Sequence, residues 1–212
     1  MPDAGRVIAG AARGIRLLAP GQGTRPLGDR VKQALFGMLG SAAPAPWTGP
    51  FLDLFAGSGA AGIEALSRGA PRALFVERDP GAVAVIATNL QRTRLAGGEV
   101  SQREAVALLA EGRTSLAGDW PPFAAAFVDP PYADRHALLT ALARLGDATL
   151  GWLRDDAVVA AKRFWRDSTP DRVGDLAAVR RRRFGETAID LYRREPVPGP
   201  GRDPSADREP VS

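Results

Sequence analysis

From residue 51 onward, short apolar runs alternate with stretches whose apolar residues recur every three or four positions, the rhythm of a mostly parallel sheet covered by helices on both faces. Phe51 to Phe55 predicts a first strand, Ala56-Gly57-Ser58-Gly59 a turn, and the stretch through Ile63 and Leu66 a helix that stops at Gly69. Ala73 to Glu77 predicts a second strand, and Asp79-Pro80 then opens a helix with Val83, Ile86, Ala87 and Leu90 on one face. A short third strand is expected near Val100, followed by a helix through Val106 and Leu109. Phe123 to Val128 is apolar throughout and must end at Asp129-Pro130-Pro131-Tyr132, because two prolines can continue neither a ladder nor a helix. A helix through Leu138, Leu139 and Leu142 follows, then a strand at 157–161, and an antiparallel hairpin of 177–184 and 187–193 turning at Gly185-Glu186.

Before this core, 6–18 predicts a small hairpin turning near 12–14, and Asp29 a cap for a helix with Val31, Leu35, Met38 and Leu39 inward. After Glu195 the chain is rich in Pro, Gly, Asp and Arg and cannot offset its ordering entropy by burial. The expected organisation is an N-terminal hairpin and helix extension (1–50), an α/β Rossmann-like domain (51–194) with a mostly parallel seven-stranded sheet and antiparallel C-terminal hairpin, and a disordered tail (195–212).

The absence of cysteine among 212 residues excludes a disulfide framework, a thiolate metal site and a cysteine nucleophile, and one histidine, His136, leaves little for zinc, so no metal is implied. His136, on a polar helix start, reads as a surface or capping residue. No run approaches the roughly 20 apolar residues of a membrane helix, and the N-terminus lacks the apolar core of a secretory signal, so a cytoplasmic protein without a membrane partner is expected. The net charge is only +4, but it is unevenly spread. Residues 1–32 carry six basic and two acidic residues, and 160–194 carry ten and five, including Arg180-Arg181-Arg182-Arg183, whereas 33–130 carry seven and nine. A basic excess at both ends of a domain suits contact with a phosphate backbone, and equally a solvated arginine-rich surface. Alternate residues of a strand face opposite sides, so at most half of the arginine run can meet one ligand.

The turn after the first strand holds the first candidate chemistry. Glycines there let backbone approach a ligand at the carboxyl edge of the sheet, where open α/β folds bind. There is no Gly-Lys-Ser/Thr for a triphosphate, and the glycine spacing departs from the dinucleotide pattern. An acid, Asp53, within the motif suits a cationic ligand bearing an amino acid, a description that S-adenosylmethionine meets. The expected cofactor residues are Asp53, Phe55, Ala56, Gly57, Ser58 and Gly59, then Glu77 with its carboxylate on the ribose hydroxyls, Arg78 and Asp79, and Glu104-Ala105 near the adenine. Asp79 reads equally as a helix cap, and Glu104 as an exposed acid.

Asp129-Pro130-Pro131-Tyr132 should stand at the same edge. An exocyclic nucleobase amine is a poor nucleophile because its lone pair is delocalised into the ring. Acceptors that bind its two N–H groups can turn that lone pair toward a methyl donor. The Asp129 carboxylate and the Pro130 carbonyl are candidates for that role, Pro131 stiffens the turn, and Tyr132 offers a face on which an extruded base stacks.

Further segments complete a resemblance covering roughly 6–194: Arg6-Val7-Ile8-Ala9-Gly10 with Arg13-Gly14, Arg25-Pro26, Asp29-Arg30-Val31-Lys32 before Leu35-Phe36, Glu64 to Gly69, and Phe75 to Asp79. With the two loops, these resemble the bacterial 16S ribosomal RNA guanine-N2 methyltransferases of the RsmD type, a class I S-adenosylmethionine-dependent family. The resemblance implies methylation of one small-subunit guanine, guanine 966 in the usual numbering, within an assembled or partly assembled subunit, by a monomer. It also implies that Arg6, Arg13, Arg25, Arg30 and Lys32 lie on the RNA side. The chain departs from the family pattern at Ala9, Leu27-Gly28 and Gln33, and near Lys162, where a glutamate is frequent. Competing readings are an adenine-N6 DNA or RNA methyltransferase and a non-catalytic RNA-binding assembly factor.

Overall fold

The computed structural model describes residues 3–21, 27–42 and 47–195. The expected tail beyond 195, and Arg25-Pro26, lie outside the described residues. A two-stranded ladder of β1 (Asp3–Arg6) and β2 (Arg16–Leu18) is followed by α1 (Asp29–Ala42). The main sheet then begins with β3 (Phe51–Leu54), α2 (Ala60–Ser67), β4 (Ala73–Glu77), α3 (Pro80–Thr93), β5 (Gly98–Gln102) and α4 (Ala105–Glu111). It continues through β6 (Phe123–Val128), α5 (Arg135–Gly146), β7 (Leu153–Phe164), β8 (Arg172–Val173), β9 (Leu176–Phe184) and β10 (Thr187–Arg194).

The spatial order is β5-β4-β3-β6-β7-β10-β9-β8, with the first five strands parallel and β10 antiparallel to both neighbours. The sheet therefore has eight strands rather than seven. The additional one, β8, is two residues long and too short to show a periodicity. The chain winds outward from β3 to β5 and then returns to place β6 on the other side of β3, which opens a crevice at the carboxyl ends of β3 and β6.

Two layers of apolar side chains cover the sheet. One face joins Phe51, Phe75, Phe127 and Val158 to Ile63 of α2 and Leu35, Phe36 and Leu39 of α1. The other joins Leu54, Val76, Val128 and Val159 to Leu108, Leu142 and Leu145. Every residue of β6 is buried, and its three consecutive alanines let helices approach on both sides. Gly62 of α2 stands where an added Cβ would be 2.2 Å from the Phe75 ring, so α2 can lie this close only with glycine there.

The N-terminal segment is not an outlying appendage, because Ala4, Val7, Leu17 and α1 belong to the same apolar layer as Phe51 and Ile63. Polar contacts hold it in place. The buried Glu64 carboxylate accepts from the amides of Ile8 (2.7 Å) and Ala9 (3.1 Å), and Asn89 pairs with both the amide and the carbonyl of Leu18 (2.9 Å each). Gly10 has φ +84°, and a Cβ there would lie 1.7 Å from the Ser67 carbonyl oxygen.

Three local expectations are corrected. The hairpin begins at Asp3, and Asp29 stands inside the first turn of α1, where its Oδ2 pairs with Arg6 at 3.1 Å. In α3, Ala87 is exposed and Val83 only half-buried, while Ala82, Val85, Ile86, Asn89 and Thr93 form the buried stripe. The polar Asn89, drawn inward by its bonds, rotates the buried face away from the purely hydrophobic one. Among the described residues no helix is long and apolar enough to cross a membrane.

Candidate active site

A cavity of about 690 Å³ opens at the crevice between β3 and β6. That is within the range of small-molecule and cofactor sites, roughly 300–1,000 Å³. Of the expected cofactor and catalytic residues, all but Gly59 line it. Register explains the convergence: Leu54 of β3 pairs with Val128 of β6, so the loops after these strands leave side by side, and the Asp129 amide reaches the Leu54 carbonyl at 3.4 Å.

The glycine loop is tightly built. Phe55 has φ +59°, a left-handed conformation that is strained for a bulky side chain and concentrates at functional turns. Gly57 and Gly59 follow at φ +55° and +75°. Asp53 is buried, and its Oδ2 accepts from the Gly62 amide at 2.7 Å. Burial pushes its carboxyl well above the usual carboxylate range; the Gly62 bond opposes this, and Asp129 and Glu77 add to the rise. Glu77 accepts from the Gly57 amide through Oε2 (2.8 Å) and from the Asp79 amide through Oε1 (2.9 Å), tying the ends of β3 and β4 together. Asp79 caps α3 through the Ala82 amide (2.7 Å) while lining the cavity. Glu104 is the N-cap of α4, and both its oxygens are engaged by Val106 and Ala107 amides at 3.0 and 2.6 Å. Arg78 is exposed at the rim, and Ala105 is buried.

On the opposite wall, Asp129 Oδ1 accepts from Lys162 Nζ at 2.6 Å. Burial raises the Asp129 carboxyl and the Lys162 ammonium opposes that rise. Among the described residues Oδ2 of Asp129 and the buried Pro130 carbonyl take part in no hydrogen bond, whereas the Pro131 carbonyl is used by the Asp134 amide (2.8 Å). Tyr132 is half-buried, its hydroxyl 2.6 Å from Thr187 Oγ1 and its ring centroid 5.0 Å from Lys162 Nζ. His136 is exposed on α5 and does not line the cavity, and the cap of that helix is Asp134.

Several wall residues carry no local signal in the sequence. Lys162 stands opposite Asp129 because Ala161 pairs with Val128 in the β6–β7 ladder, a relation fixed only by register. Ala4, Ala19, Pro20 and Leu27 bring the N-terminal unit into the cavity wall. Of the expected RNA-side residues, Arg6, Arg13 and Arg30 are exposed and Arg25 lies outside the described residues. Lys32 is a correction: it is fully buried, its Nζ donates to the Arg6 carbonyl at 2.8 Å, and burial lowers its pKa against the pull of Glu64 and Asp29. No group of acids or histidines with metal-binding geometry occurs among the described residues.

This strand order, with a strained glycine loop after the first parallel strand and an acid ending the second, defines the class I S-adenosylmethionine-dependent methyltransferase fold. Comparison with known proteins then narrows the class. The family model described as conserved hypothetical protein 95 matches residues 5–193. YlbH of Bacillus subtilis (strain 168) is 37% identical over 191 residues, 89% of this chain and 98% of that protein. Ribosomal RNA small subunit methyltransferase D of Escherichia coli (strain K12) is 35% identical over 191 residues, 90% of each. The solved structure of yhhF from Escherichia coli superposes with a TM-score of 0.76 at 32% identity, covering 90% of this chain and 97% of that one. The chain belongs to this family, the RsmD type.

Proposed function

We propose that the protein transfers a methyl group from S-adenosylmethionine to the exocyclic N2 amine of a guanine in 16S ribosomal RNA, within an assembled or partly assembled small subunit. Kinship with a small-subunit RNA methyltransferase supports the substrate class, and the two hydrogen-bond acceptors on one cavity wall support the chemistry. The second of these carries the reading. Asp129 Oδ2 and the Pro130 carbonyl are two acceptors at the turn of a strand, matched in number to the two N–H groups of an unmethylated amine.

The donor's fit rests on the residues of the other wall. A cationic amino-acid group suits the acidic side around Asp53, a ribose diol suits the second lone pairs of the Glu77 oxygens, and the open glycine loop admits the ligand's backbone. When bound, S-adenosylmethionine supplies a methyl group on a good leaving group, so positioning accounts for most of the acceleration. Asp129 and the Pro130 carbonyl each accept a hydrogen bond from one amine N–H and so orient the lone pair; as the N–C bond forms and the donor's C–S bond breaks, one N–H proton is released, by way of the Asp129 carboxylate, to solvent. Lys162 keeps Asp129 an acceptor by holding its ionised form against burial. The Tyr132 ring, fixed through Thr187, gives the extruded base a face to stack on. Arg6, Arg13 and Arg30 on the N-terminal unit are proposed RNA contacts, and the protein is proposed to act as a monomer.

The test is transfer of labelled methyl to small-subunit RNA from cells lacking the activity, followed by digestion to nucleosides. N2-methylguanosine is the expected product. Label recovered as N6-methyladenine, or confined to DNA, overturns the reading.

A further inference from the structure

The catalytic loop is continued by a row of aromatic rings that the reaction itself does not use. Phe164, the last residue of β7, has its ring centroid 6.1 Å from that of Tyr132, and Trp165 follows at 6.2 Å from Phe164. Two guanidinium groups stand on Trp165, Arg183 at 3.5 Å and Arg166 at 5.0 Å from the ring centroid. The rings are half-buried, and both arginines are exposed. The row starts at Tyr132, which lines the cavity, and leads away from it across the end of β7 beside the β9–β10 turn: Thr187, bonded to the Tyr132 hydroxyl, pairs with both Phe164 and Phe184.

The segment bearing Trp165 is held rigidly from beneath. Arg163 makes a two-pronged pair with the fully buried Asp190 (2.6 and 3.0 Å) and donates to the carbonyls of Phe164, Trp165 and Asp167. The Trp165 amide is fixed to the Glu186 carbonyl at 3.0 Å. A buried ion pair that anchors the backbone of a rim aromatic is a construction for presenting that ring in one orientation. Flat stacking surfaces edged by arginine match single-stranded RNA, whose unstacked bases lie on aromatic or guanidinium planes while phosphates meet the charge.

We infer that Phe164 and Trp165, with Arg166 and Arg183, form a stacking platform beside Tyr132 for the nucleotides flanking the target base in single-stranded RNA; the inference rests on the RNA-methyltransferase reading above. A base extruded toward Tyr132 leaves its neighbours unstacked, and the row offers them replacement surfaces at the adjacent positions.

Fluorescence anisotropy of a short fluorescein-labelled single-stranded RNA, with methyl transfer to small-subunit RNA measured in parallel, tests it in the full-length chain. Trp165→Ala weakens oligonucleotide binding about tenfold, and Trp165→Phe, which keeps a flat face, restores most of it. Arg183→Gln, an exposed change that keeps the fold even if Trp165→Ala does not, raises the KM for RNA and reduces the slope of log affinity against log salt by about one. S-adenosylmethionine affinity is unchanged in each. Unaltered RNA affinity and KM in both Trp165→Ala and Arg183→Gln, with a wild-type protein that methylates the RNA, overturn the platform alone. A wild-type protein that never transfers methyl, yet loses oligonucleotide affinity through these substitutions, overturns the methyltransferase reading and upholds the platform as an RNA surface.

Discussion

At the scale of single residues, two carboxylates of one cavity, Asp53 and Asp129, are raised by burial and held against that rise by different partners, the Gly62 amide and the Lys162 ammonium. Asp129 is the direct acceptor in the proposed reaction, so Asp129→Ala lowers kcat by about two to three orders of magnitude while cofactor affinity, measured by calorimetry, persists. Lys162→Met removes the ammonium that opposes burial at Asp129. The acid limb of the kcat–pH profile then moves upward, and Lys162→Arg restores it. Asp53 bears on stability as well. Its folded pKa is raised, so the folded state holds a proton that the unfolded state releases, and stability falls as pH rises from the ordinary value of 3.8 through the raised one. Asp53→Asn therefore has a higher Tm than the parent at pH 8 and loses that advantage toward pH 4, while its affinity for S-adenosylmethionine drops. The place of Asp53 and Asp129 in the cavity wall was legible in the sequence because each sits at a strand end beside a turn motif. Lys162 was not, because nothing within its own segment distinguishes it from any other strand lysine.

At the scale of elements, the strands and helices with clean periods stand where the pattern put them, β4 and β6 to the residue. The exceptions have polar causes. Asn89 occupies the buried stripe of α3 because its amide group satisfies both backbone groups of Leu18 and the Ser58 carbonyl (2.9 Å), coupling the N-terminal hairpin to the glycine loop. Asn89→Ala leaves those buried groups unpaired, costs about 1–3 kcal/mol, and lowers Tm by several degrees in a calorimetric scan. Likewise Lys32, expected on the RNA side, and Glu64 are drawn inside by backbone partners supplied from the hairpin.

At the scale of the whole molecule, the described part of the N-terminal extension (1–50) shares its core with the strands and helices that follow. Leu35, Phe36 and Leu39 of α1 share an apolar layer with Phe51 and Ile63, and Ala4, Ala19, Pro20 and Leu27 supply part of the cavity wall. A chain beginning at residue 47 exposes that layer and loses one side of the cavity. Such a truncation is expected to show no cooperative thermal transition and no cofactor binding, by differential scanning calorimetry and titration respectively.

What the sequence determined by itself was local: alternation of apolar periods that specifies a parallel α/β sheet, and two short turns whose residue types announce their chemistry. Parallel topology then sends every such turn to the same edge, so their meeting needed no further information. The tertiary structure decided everything that depends on register and on distant backbone. It set Lys162 beside Asp129, closed the cavity with an N-terminal hairpin, buried Lys32, and brought Tyr132, Phe164 and Trp165 into one row. A side chain's partner across a ladder is set by which strands pair and at what offset, and neither is written in the segment that carries it.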